Sequence, residues 1–79
     1  MTVSITDYYL SNVGDPTKVS TAGLNAAGYS YCKLPRDFDF RRAYVTALNL
    51  VGSKNFLTMD ANMFWFDTAA LAVQFRLML

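Results

Sequence analysis

Asp37 and Asp39 flank Phe38, with Arg36, Arg41 and Arg42 close by in the chain. Two carboxylates on one face of an extended segment can divide acid and base work when their surroundings separate their pKa values. With three guanidinium groups beside them, the simpler reading is a local ion-pair cluster on a solvated edge. Arg41 and Arg42, with Tyr44, Tyr29 and Tyr31, also offer charge plus stacking. That combination suits an anion, a single nucleic-acid strand or a protein hot spot. Asp60, Asn62 and Asp67 have oxygen ligands for a hard cation, but they lack the glycine and closing acid of a calcium loop. Gly14-Asp15-Pro16-Thr17-Lys18 lacks the spacing of a phosphate-binding loop and reads as a turn.

The chain has no histidine and no glutamate, and its one cysteine is Cys32. Without histidine, imidazole bases, triads of the Ser-His-Asp kind and His-containing zinc sites are excluded. A lone cysteine cannot form an intramolecular disulfide, and Cys32 reads as a small buried hydrophobe. No nucleophile–base pair and no metal-ligand set can be assembled, so no enzyme, cofactor or metal is expected. The formal net charge of +1 argues against a dedicated nucleic-acid binder, which usually carries a strongly basic face.

These residues are carried by a chain of 79 residues, expected to form one domain over 1–79. Its composition is 53% hydrophobic and 16% charged, against roughly 45–50% and 25% in ordinary domains. A short chain has a high surface-to-volume ratio and needs more polar residues than average, not fewer. The apolar excess therefore points to a protein partner, either a second copy or another subunit. The most apolar stretch, from Ala61 to Leu79, is broken by Asn62, Asp67, Gln74 and Arg76. It does not make the ~20-residue apolar run of a spanning helix. Met1-Thr-Val-Ser-Ile-Thr-Asp7 has no basic region and no apolar core of a secretory leader, so cytoplasmic synthesis is the expectation.

All six acidic residues are aspartate, aromatics make up 15% of the chain, and valine and threonine are common. This composition favours strands and turns over helix surfaces. Thr2 to Leu10 alternates at first and reads as a strand. Residues 17–28, rich in Ser, Thr, Ala, Asn and Gly, read as an extended loop or arm. Tyr29 to Leu34 alternates and ends at Pro35, as a short strand would. Residues 36–52 fit two periods. Phe40, Ala43, Tyr44, Ala47, Leu48 and Val51 recur at helical spacing, with Asp37 or Asp39 as N-cap and Gly52 as stop. Tyr44-Val45-Thr46 and the alternation around it favour a strand. Residues 55–79 read as a β-meander, with Met63-Phe64-Trp65-Phe66 as its central strand. Its last strand would set Leu71, Val73, Phe75, Leu77 and Leu79 on one face, with Leu77-Met78-Leu79 packed rather than solvated.

The fold expected is mainly β, a small antiparallel sheet or a compact sandwich or barrel. The alternative is an α+β fold with one helix at about 39–51 packed on an antiparallel sheet. The function expected is structural: a small subunit or accessory component of a larger protein particle, such as a virion, working through apolar burial and strand-edge contacts. A module that masks one protein partner is the alternative, and a weak anion or nucleic-acid binder comes third. Tyr8, Tyr9, Tyr29, Tyr31, Arg41, Arg42 and Trp65 are the candidate contact residues.

Overall fold

A computed structural model describes residues 3–60 and 62–79 of the chain. Among these residues there are four helices and three strands: α1 (Ile5–Ser11), α2 (Thr21–Ala26), β1 (Ser30–Lys33), α3 (Phe40–Val51), β2 (Phe56–Met59), β3 (Met63–Phe66) and α4 (Ala69–Met78). The mainly β expectation is therefore corrected to α+β. Of the expected strands outside the sheet, the first is α1 (its Thr2 start lies outside the described residues), 36–52 contains α3, and the last limb of the meander is α4. The 17–28 arm contains α2. The helical alternative at 39–51 corresponds to α3.

One capping device opens all four helices. The side chains of Ser4, Ser20, Asp39 and Thr68 accept from the backbone N–H groups of Asp7, Gly23, Arg42 and Leu71. Each cap is extended in backbone and satisfies an N–H that the first turn leaves without a partner. At the far end of α3, Gly52 takes a positive φ of 84°, which costs glycine little and stops the helix. Asp60 also lies in the left-handed region, at φ 53°, a conformation its short polar side chain tolerates. It turns β2 back into β3.

The three strands form one antiparallel sheet in the order β1-β3-β2. Ser30 to Lys33 run against Phe66 to Met63, and Phe56 to Met59 run against the same four residues from the other side. β3 is buried along its whole length, because helices cover both faces of the sheet. Phe64 and Phe66 point to one face and pack with Cys32, Phe56, Ala43 and Ala47 of α3, and Ala72 and Phe75 of α4. Met63 and Trp65 point to the other and pack with Ile5 of α1, Leu24 of α2 and Tyr29. A strand covered on both faces needs apolar side chains on both, so part of the compositional excess is absorbed within the fold.

The small helix α2 is held close to the loop before it. A Cβ on Gly23 would meet the carbonyl oxygens of Thr17 and Lys18. These are backbone atoms and cannot swing aside. Gly23→Ala is expected to lower stability by about 1–3 kcal/mol, despite the ~1 kcal/mol by which alanine normally favours a helix. A thermal melt would show this, and an unchanged or raised Tm would mean that α2 does not sit against the 17–18 backbone.

Candidate functional site

The seven candidate contact residues do not form one site. Trp65 is fully enclosed and Tyr29 nearly so, which removes both from the surface of the folded chain. The Tyr29 hydroxyl donates to the Val3 carbonyl at 2.7 Å. Its ring lies 5.2 Å from that of Tyr8, whose own hydroxyl donates to the Lys18 carbonyl at 3.0 Å. These two tyrosines fasten the N-terminal segment and the 17–18 loop to the body of the protein. Tyr31 is exposed on β1, with its ring tilted against that of Trp65 at 4.9 Å. Arg41 and Arg42 are exposed in the first turn of α3. Arg42 borders a small cleft with Leu34, Phe38, Asp39 and Leu79. Tyr9, half-buried on α1, stands at the open β2 edge, and Tyr31 stands on the other outer strand, where it lines clefts with α4.

Three of the polar residues weighed for chemistry serve the fold. Asp39 caps α3. Asp67 accepts from the Ile5 N–H at 2.7 Å and ties the start of α1 to the end of β3. Asn62 donates its side-chain amide to the Leu34 carbonyl. Among the described residues, no three His, Cys, Asp or Glu side chains are grouped as metal ligands, and no helix is long and apolar enough to cross a membrane.

Cys32 is buried in the sheet face under α4. Burial pushes its thiol pKa up, while nearby Arg76 acts weakly in the opposite direction. The thiolate is the reactive form. Native protein is therefore expected to react with a thiol reagent at least about tenfold more slowly than denatured protein. Equal rates would place Cys32 at the surface.

The sheet's two outer edges differ. The Leu34 N–H donates to the Asn62 carbonyl at 2.8 Å, which makes that pair, and every second pair along the β1–β3 ladder, hydrogen-bonded. Phe64 and Phe66 thus bond toward β1, and Met63 and Trp65 toward β2. Opposite them, Met59 and Leu57 bond inward. The main-chain groups of Phe56 and Thr58 face outward from β2, and those of Tyr31 and Lys33 face outward from β1. The β1 edge carries Lys33 and is followed by Pro35, and it lines a cleft of about 400 Å³ with Ala72, Val73 and Arg76 of α4. The β2 edge is Phe56-Leu57-Thr58-Met59, with no charge and no proline. It opens into a cleft of about 390 Å³ walled by Tyr9 from α1 and Tyr44 from α3, with Ser53 also lining it. The Tyr44 ring meets Phe56 edge-on at 5.4 Å.

The β2 edge was not among the sequence candidates, and Tyr44 was weighed only beside Arg41 and Arg42. Which strand lies outermost depends on how β3 inserts between β1 and β2, and strand periodicity carries no information on that order. Comparisons with family models, with curated proteins and with solved structures find no match to this chain.

Proposed function

We propose that this protein is a non-enzymatic assembly protein, a small subunit or accessory component of a larger protein particle that works by strand-edge pairing and apolar burial. The observation that carries this reading is the uncharged β2 edge, with its outward main-chain groups in an open cleft between two tyrosines. Soluble proteins usually protect an edge strand with lysine, proline, a bulge or a covering element, because an open edge is a template for another strand. β1 has such protection and β2 does not. Tyrosine walls suit a contact surface, since each ring offers a large apolar area with a polar tip at low entropic cost.

Large apolar side chains on the surface add to this support. Val73 and Leu77, one turn apart on α4, are 59% and 80% exposed, and Val45, Phe40 and Tyr44 are exposed on α3. Native mass by light scattering after size exclusion, over a dilution series, tests the reading. A discrete assembly that persists on dilution is expected. A monomer at every concentration, soluble without any neighbour, would overturn the homomeric form of this reading and leave only an accessory component that needs a different partner.

A further inference from the structure

The β2 edge is complementary to itself. Lys54 precedes the strand and Asp60 follows it, both exposed, and the four residues of the strand are uncharged. Antiparallel pairing of two copies about a two-fold axis normal to the sheet therefore brings each Lys54 toward Asp60 of the other copy. The hydrogen-bonding groups select the register. With Leu57 on the axis, Phe56 faces Thr58 of the second copy and Thr58 faces its Phe56. Those are the two residues in each chain whose N–H and C=O point outward. Both pairs become hydrogen-bonded pairs, and all the outward groups of both strands are satisfied. Moving the axis to Phe56 or to Thr58 leaves an outward-facing strand residue opposite the turn at one end instead. Because the axis is normal to the sheet, like faces stay together. The two Tyr9 residues flank the seam on one face and the two Tyr44 residues on the other.

We infer that the β2 edge binds a second copy of this chain, joining two three-stranded sheets into one continuous six-stranded antiparallel sheet centred on Leu57. The inference rests on the assembly reading and gives that reading its partner and register. The closed seam uses charge complementarity at both ends, whereas an unrelated extended peptide would have to supply the matching ends by its own sequence.

Three variants test it. Thr58→Pro removes an outward N–H without touching the β2–β3 ladder, as proline on an edge strand can. Thr58→Lys keeps that N–H and places a charge on an exposed edge position, the usual natural block to pairing. Leu57→Cys puts a thiol on the axis, where the two Cα atoms of a non-hydrogen-bonded pair lie roughly 4.5 Å apart, within disulfide range. Wild type is expected at twice its chain mass of 8.9 kDa. Both Thr58 variants are expected at the chain mass with unchanged far-ultraviolet circular dichroism. Leu57→Cys is expected to form a disulfide-linked dimer when an oxidant is added, and Thr58→Cys is not. A monomeric wild type, including one that pairs only with an added extended peptide, would overturn the inference. So would a dimer that survives both Thr58 substitutions, or cross-linking through position 58 rather than 57. A surviving dimer would leave the assembly reading standing and move the interface elsewhere, so the two failures are distinguishable.

Discussion

Trp65→Ala is expected to lower the unfolding free energy by about 3–5 kcal/mol, the usual range for truncating a large buried aromatic. A chain of this length holds roughly 4–12 kcal/mol in total, so the loss takes a large share of it. Trp65 is fully enclosed in the central strand. It packs beneath α1 and α2 with Ile5, Leu24 and Tyr29, and the Tyr31 ring lies tilted against it at 4.9 Å. Alanine would empty the middle of that layer. Trp65→Phe is expected to cost far less. The indole Nε1 of Trp65 is buried without a hydrogen-bond partner among the described residues, and an unsatisfied buried donor costs about 1–3 kcal/mol. Phenylalanine removes that donor while it leaves a small void, and the two effects nearly offset. Urea denaturation followed by circular dichroism measures both variants, since Trp65 is the sole tryptophan. Wild-type stability in Trp65→Ala would show that the α1–α2 layer is not packed on the sheet. Equal losses in the two variants would mean that the indole N–H has a partner after all, such as an enclosed water.

The sheet was legible in the sequence and most of the helices were not. β1 falls in the alternating segment Tyr29–Leu34, and β2 and β3 fall within the segment 55–79 read as strands. Met63-Phe64-Trp65-Phe66 reads correctly as a central strand, and its unbroken apolar run leaves no solvent side. The helices fail for a common reason. α1 and α4 both contain stretches in which apolar residues alternate, and the absence of glutamate removes the most familiar mark of a helix surface. The stronger local signal was the caps. Ser4, Ser20, Asp39 and Thr68 each stand just before a helix and bond to the residue three places on. Ala69-Ala-Leu-Ala, with Gln74, Arg76, Leu77 and Met78, is also good helix material by intrinsic propensity. In α3, the Asp39 cap, the Gly52 stop and the Ala43–Ala47 pair, buried in one core cluster with Phe56, Phe64, Ala72 and Phe75, outweigh the poor propensity of Tyr44-Val45-Thr46. The candidate site was legible only through Tyr9 and through Tyr44 as a neighbour of Arg41 and Arg42. An isolated tyrosine gives no sign of whether it stacks inside, as Tyr29 does, or walls an open edge.

Phe75 and Leu77 separate the two conformations of the last segment by their response to substitution. In a strand they would share a face and behave alike. In α4, Phe75 turns inward and stacks at 5.0 Å on Phe64, with Phe66 at the same distance, while Leu77 points out. Phe75→Ala is expected to cost about 3–5 kcal/mol, and Leu77→Lys no more than about 0.5 kcal/mol. Urea denaturation of the two variants makes the comparison. A large loss from Leu77→Lys would mean that its side chain is buried. A small loss from Phe75→Ala would mean that α4 is not docked on the aromatic face of β3. The same Leu77 variant also bears on assembly. If the β2 edges form the seam, a lysine on the outer face of α4 leaves the native mass unchanged, because α4 packs on β1 at the opposite side of the sheet. A fall to the monomer mass with stability intact would make the exposed Val73–Leu77 surface the interface and leave β2 as an unused edge.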